Sequence, residues 1–273
     1  MHRGRLFCFL FTICAAMLVP VAVAQTTASG EIQLGQQALS QGKYDEAIQH
    51  FEAASDMVPA NVIVQLKLAD VYAQQYVPGV DNPDNVRMAE QAISHYQRVI
   101  DGDMSRTSSL SAAKGIALLK AQMNDFDGSK DYYGRAERLD PRDPEPYYFI
   151  ALIDWTLSSQ VRKQARTKLG LKAEDSLAVK DPKACVEVRD KNSSNLDEAI
   201  DNLNKALELR PTYADAMNYM SLSYVERADI HCDDPAARKA DLKSADEWAQ
   251  KLAALKKLQA THPQKQKADD DDE

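Results

Sequence analysis

Three segments of this chain repeat one order of residue types, and that order restricts its possible folds more than any other feature. They are ALSQGKYDEAIQHFEAASDMVPAN (38–61), AQMNDFDGSKDYYGRAERLDPRD (121–143) and SSNLDEAIDNLNKALELRPTY (193–213). In each, a small residue is followed by a large one four positions on, Ala three later and Pro five beyond that. Ala47, Ser129 and Ala199 are small where two antiparallel helices touch, and Phe51, Tyr133 and Leu203 fill the space one turn later. Ala54, Ala136 and Ala206 extend the close-packed stripe, and Pro59, Pro141 and Pro211 end the helix. A generic bundle with Ala-rich interfaces has no reason to keep one spacing in three separate places, so a helical repeat is expected.

The pattern resembles the second helix of a tetratricopeptide repeat (TPR). Large-small pairs with a third site three residues on stand where that family places its first helix: Leu34-Gly35 with Ala38, Leu68-Ala69 with Tyr72, Ile116-Ala117 with Lys120, Ile150-Ala151 with Asp154, and Met220-Ser221 with Tyr224. Lys120 and Asp154 depart from the usual aromatic. Two weaker second helices carry Ala92, Tyr96 and Val99, then Ala245, Ala249 and Leu252, and neither ends in Pro. The resemblance implies an all-α, right-handed solenoid of about five helix-turn-helix repeats, near 28–61, 62–103, 110–143, 144–213 and 214–257. Each unit buries its apolar face only by stacking on its neighbours. The composition agrees, with only 10 Gly and few β-branched runs.

Residues 1–24 read as a secretory signal peptide: His2, Arg3 and Arg5, an apolar run to Val23, and small residues before Gln25. A membrane anchor is the competing reading, but Pro20 interrupts the run. Cleavage removes two of 33 basic residues and none of the 41 acidic ones, leaving 31 against 41, a net charge of -10. Such a chain is expected to avoid nucleic acid and anionic bilayers, and to keep no stable membrane insertion once cleaved. The destination is expected to be the periplasm or the medium.

Spacing between equivalent small residues exceeds the family period of about 34. Ala47 to Ala92 is 45, Ser129 to Ala199 is 70 and Ala199 to Ala245 is 46. The surplus falls at 76–85, 157–195 and 227–244, between the two helices of repeats two, four and five, so three loops are expected on one rim. Cys185 and Cys232 lie in two neighbouring insertions and are the two cysteines left after cleavage, so a disulfide is expected between them. The neighbouring run HCDDP (231–235) also raises a metal site or a reactive thiol. Sequential His231, Cys232, Asp233 and Asp234 point poorly at one ion, and no nucleophile motif accompanies the thiol. No phosphate loop or catalytic signature appears, so neither an enzyme nor a cofactor is expected.

The resemblance implies a protein or peptide partner in the groove formed by the first helices. The corresponding face carries Leu66, Asp70, Lys114, Leu118, Tyr148, Leu152, Trp155, Asn218 and Leu222. Only Lys114 and Asn218 could serve a carboxylate clamp, and they are far apart in the stack. Tyr148, Leu152 and Trp155 share one face at helical spacing and suit either groove contact or packing between repeats. The basic stretch VRKQARTKLGLK (161–172) reads as a solvated helix face, with docking of an acidic partner or of the chain's own tail as the alternative, and 258–273 reads as a disordered acidic tail. Two function classes follow: an exported interaction scaffold of the cell envelope, or a self-associating structural subunit.

Overall fold

A computed structural model describes residues 27–102, 105–172 and 175–261. The expected signal peptide and residues 262–273 of the expected tail lie outside the described residues. Within them every element is helical. The helices are α1 (Ala28–Ser40), α2 (Tyr44–Met57), α3 (Val62–Gln75), α4 (Pro83–Asp101), α5 (Arg106–Gln122) and α6 (Phe126–Leu139). They continue as α7 (Pro144–Lys168), the single turn α8 (Leu177–Lys180), α9 (Pro182–Leu209), α10 (Ala214–Asp229) and α11 (Pro235–Thr261).

Short polar side chains start these helices. Thr27, Asn61, Asn82, Ser105, Asp125, Asp143 and Asp181 each accept a backbone N–H of the first turn, an arrangement worth about 1 kcal/mol per cap. Pro83, Pro144 and Pro182 take the first helical position, where no N–H is needed.

The helices pair as α1 with α2, α3 with α4, α5 with α6, α7 with α9 and α10 with α11, and each second helix also packs on the next first helix. The result is an all-α, TPR-type helical solenoid. Small residues set the close approach within each pair. A Cβ at Gly35 would lie 2.7 Å from the Phe51 ring, so only Gly admits that ring. The Ser129 hydroxyl donates to the Ala117 carbonyl at 2.7 Å, and in the last pair Ser221 donates to the Ala245 carbonyl at 2.8 Å. The serine has changed helices between these two repeats, yet the same close crossing is kept.

Two of the three expected loop insertions are helix instead. In 157–195, α7 runs on to Lys168 and α9 begins at Pro182, so the added residues lengthen both helices of the fourth pair. In 227–244, α10 reaches Asp229 and α11 starts at Pro235. An excess over the repeat period counts residues but does not say whether they form loop or extra turns. The extended ends enclose a small core of Leu177, Cys185, Val188, Leu196 and Ile230. Residues 76–82 do form a loop, held by the Asn85 side chain, which bonds Val77 N–H and the carbonyls of Val77 and Val80 at 2.8 Å each. The last helix reaches Thr261, so residues 258–261 are helical rather than tail.

Candidate functional site

The first helices carry the residues expected to meet a partner. On α3, Leu66 is half-buried against the core, and Asp70 accepts the Tyr96 hydroxyl at 2.7 Å. Burial pushes the Asp70 carboxyl above the usual carboxylate range, against the pull of Tyr96 and Lys67. On α5, Leu118 is 45% exposed. Lys114 donates to Asp143 at 2.9 Å and to Glu145. Burial lowers the Lys114 pKa, but these two carboxylates outweigh it and hold the pKa above the usual value. Its ammonium is occupied within the solenoid, which removes it from any carboxylate clamp.

The α7–α10 seam concentrates the aromatics. Of the two alternatives for Tyr148, groove contact and packing between repeats, the structure has packing: it is 7% exposed, with ring centroids 4.8 Å from Tyr213, 5.1 Å from Phe149 and 5.9 Å from Tyr219. Three neighbouring rings enclose it because α7 and α10 lie side by side. Tyr147 is buried too, while Leu152 and Trp155 are half-buried. The Trp155 ring meets Tyr219 edge-on at 5.1 Å, and its Nε1 is buried with no hydrogen-bond partner. On α10, Asn218 is exposed and Leu222 half-buried. Leu152, Trp155 and Leu222, with Tyr219, therefore lie on adjoining first helices, whereas Leu66, Asp70, Lys114 and Leu118 lie on α3 and α5. Sequence reasoning missed Tyr219, which bridges Tyr148 and Trp155; its position beside Asn218 was the available signal.

The rim is tied covalently and electrostatically. Cys185 and Cys232 are joined, with an S–S distance of 2.05 Å and Cα atoms 5.7 Å apart. Cys185 sits in the first turn of α9 rather than in a loop, and Cys232 in the turn between α10 and α11. The other residues of the HCDDP run have separate structural partners. His231 Nε2 lies 2.8 Å from Asp241, Asp233 is 3.6 Å from Arg189, and Asp234 accepts the Ala237 N–H at 2.9 Å. Asp241 also takes two bonds from Arg227, at 2.8 and 2.9 Å. Burial alone would raise the Asp241 pKa, yet Arg227 and His231 hold it below the usual range.

The basic stretch is not simply a solvated face. Arg162 and Arg166 turn inward from α7 and each reach Asp229 at 2.8 Å. Arg162 also meets Glu226 at 3.2 Å, and Arg166 donates to the carbonyls of Asp175 and Lys172. Burial pushes the Glu226 carboxyl up against the pull of Arg162, and its Oε2 is buried without a hydrogen-bond partner. Both arginines answer acids on α10, which spacing within α7 alone could not reveal. Among the described residues no three His, Cys, Asp or Glu side chains are placed to hold a metal ion.

With this geometry in hand, the class of protein is a TPR-type solenoid, and comparison places it among known folds. A family profile described as TPR repeat matches residues 35–75. The fold resembles the crystal structure of MamA protein, at 16% identity and a TM-score of 0.55, covering 86% of this chain and 94% of that one. It also resembles MamA 41-end from Desulfovibrio magneticus RS-1, at 14% identity and a TM-score of 0.55, covering 85% and 96%. A third likeness is YrrB, a TPR protein with an unusual peptide-binding site, at 14% identity and a TM-score of 0.50, covering 86% and 94%. Comparison with curated protein sequences gives no match. At these identities the likeness establishes the fold and nothing finer.

Proposed function

We propose that this chain is a non-enzymatic scaffold of the cell envelope that binds a peptide or a partner helix along its first helices. The carrying observation is the half-buried group Leu152, Trp155, Tyr219 and Leu222 on α7 and α10, beside exposed Asn218. Apolar and aromatic side chains that are partly covered offer contact area at small cost in side-chain entropy. YrrB, a neighbour in fold, is a TPR protein with a peptide-binding site, and it supports this reading by analogy only. Export to an oxidising compartment, most simply a periplasm, is part of the proposal. It is supported by the paired Cys185 and Cys232, since such bonds persist outside reducing cytosol.

A photo-crosslinking residue at Asn218, in the full chain expressed in its native cell, tests the reading. A discrete foreign adduct that disappears on Leu222→Glu supports it. Adducts between copies of this chain would favour the second reading, a self-associating subunit. That alternative draws on α11, where Leu242 is 38% and Leu258 62% exposed. No adduct at all would remove α10 as a binding surface.

A further inference from the structure

The fourth helix pair outruns its neighbours, and the extra turns leave one face uncovered. Leu157 on α7 packs against the same small core of Ala117, Tyr133, Ile150 and Ile153 as Phe126, the first residue of α6. Beyond Leu157 α7 continues for three more turns to Lys168, and the open space beside this stretch is lined by residues of α7, the Leu169 and Asp181 caps and α9, with none from the third repeat. Val161, Ala165 and Leu169 follow Leu157 at helical spacing, and Ala184 and Val188 of α9 stand across from them. These five residues form the floor of an open trough of about 460 Å³. They also pack on the small rim core that contains Cys185, so the floor is backed by the disulfide and the Arg162–Asp229 network.

The edges of the trough are cationic. Lys168 lies on one side, with Lys183 and Lys191 on the other. All three are exposed and form no ion pair among the described residues. Of the two acids at the edge, Asp181 is engaged in capping α9 through the Ala184 N–H. Glu187 stands one turn from both Lys183 and Lys191, so positive charge remains in excess. In a chain of net charge -8, three lysines against Asp181 and Glu187 give the trough a small local excess of positive charge.

We propose that this trough docks an acidic amphipathic helix from a protein partner. Its apolar stripe would lie on the half-buried Val161, Ala165, Leu169 and Ala184, and carboxylates on its flanks would meet Lys168, Lys183 and Lys191. The span from Val161 to Leu169 is about 12 Å, enough for two turns of a docked helix. Two antiparallel helices present a ready groove for a third. The site rests on the scaffold reading but uses residues separate from Leu152, Trp155 and Leu222.

The test is fluorescence anisotropy with the oxidised full chain and labelled fourteen-residue peptides. One peptide carries Leu at positions i, i+3, i+4 and i+7 flanked by Glu; a second has the same composition in scrambled order. The patterned peptide is expected to bind, to weaken with salt, and to lose tenfold or more in affinity in Lys183→Glu/Lys191→Glu. Ala165→Glu is expected to abolish binding; should it unfold, the exposed lysine variants still decide. Equal binding of both peptides, no binding at millimolar peptide, or no response to charge reversal would overturn the proposal. So would binding only to vesicles of phosphatidylcholine and phosphatidylglycerol, which would assign the lysines to a lipid surface. Crosslinking at Asn218, which does not line the trough, reads the first-helix surface, so failure of either surface is separately visible.

Discussion

Lys130 on α6 places its ammonium 2.8 Å from Oδ1 of Asp154, a carboxylate whose side chain is completely buried in α7. The same ammonium lies 3.0 Å from Glu198 on α9, so one cation joins three helices across the boundary between the third and fourth repeats. Asp154 occupies the position that Tyr72 and Tyr224 fill in other repeats, which explains its departure from the aromatic pattern.

Burial pushes the Asp154 carboxyl up to about 6, against the pull of Lys130. Because the folded pKa is raised, the native state holds a proton that the unfolded chain has already released between about pH 4 and 6. The contribution of this group is therefore present below the unfolded value and is lost as pH rises through the folded one. Asp154→Asn should gain stability relative to the parent across that window, by up to about 3 kcal/mol. Urea unfolding of both proteins at pH 4 and pH 7.5 checks this, and parallel profiles would contradict it.

His95 has the opposite slope. It stacks on Tyr72 at a centroid distance of 5.7 Å, and its Nδ1 lies 2.7 Å from Oε1 of Gln65. The Gln65 amide in turn donates to Ser55 Oγ at 2.9 Å and to the Pro59 carbonyl at 3.0 Å. Burial, with help from Arg98, lowers the imidazole pKa to about 4. The unfolded chain takes up a proton near pH 6.5 that the native state refuses, so stability falls as pH drops from 6.5 to 4. The ring resonances of His95 should stay constant from pH 8 to 5 in an NMR titration, and His95→Gln should flatten the acid limb of the stability profile.

The pairing of helices is legible in the sequence because it rests on local spacing. Ala47 with Phe51 and Ala199 with Leu203 mark one face of one helix, and any partner helix must meet that face. Tyr148, Arg162 and Arg166 depend instead on what stands opposite. Tyr148 is enclosed by Tyr213 and Tyr219, and the arginines face Asp229, more than sixty residues along the chain. Nothing within α7 distinguishes Arg162 from its exposed neighbour Lys163 except helical phase relative to α10. The helical nature of 157–195 was hidden for a related reason: the repeat pattern fixes where a helix pair crosses, and is silent on how far each helix runs past the crossing.

The Cys185–Cys232 bond closes a loop with a sequence separation of 47. In the chain-entropy description such a loop adds about 4 kcal/mol, reduced by any native strain. Cys185→Ser/Cys232→Ser should lower the urea midpoint accordingly, and dithiothreitol should have the same effect on the parent but none on the variant. An unchanged midpoint would mean that the rim core and its ion pairs hold the hairpin without the bond.

Gly115 on α5 faces the Tyr96 ring so closely that a Cβ there would lie 2.4 Å from Tyr96 Cζ. Gly115→Ala must displace the ring and, with it, the hydroxyl bonded to Asp70 at 2.7 Å. In an exposed helix this substitution would help; here overpacking should cost about 1–3 kcal/mol despite the gain in helix propensity. Thermal unfolding measures the sign directly, and a raised midpoint would show that the α4–α5 contact is loose.

Arg166 holds the elbow between α7 and α9. Its guanidinium bonds the Asp229 carboxylate at 2.8 Å, the Asp175 carbonyl at 2.9 Å and the Lys172 carbonyl, while Asp229 Oδ1 accepts the Leu177 N–H at 3.3 Å. Arg166→Met keeps an apolar stem but strands two carbonyls and half the pairing of a buried acid, a loss of about 3 kcal/mol or more. Arg166→Lys retains the charge without the planar fork that reaches several acceptors at once, so its loss should be intermediate. The damage should also be local. Hydrogen exchange in residues 175–188 should quicken while α1 to α6 keep their protection, because stacked repeats contact only their neighbours. Uniform acceleration along the chain would instead show that the solenoid unfolds as one unit and that the elbow sets its overall stability.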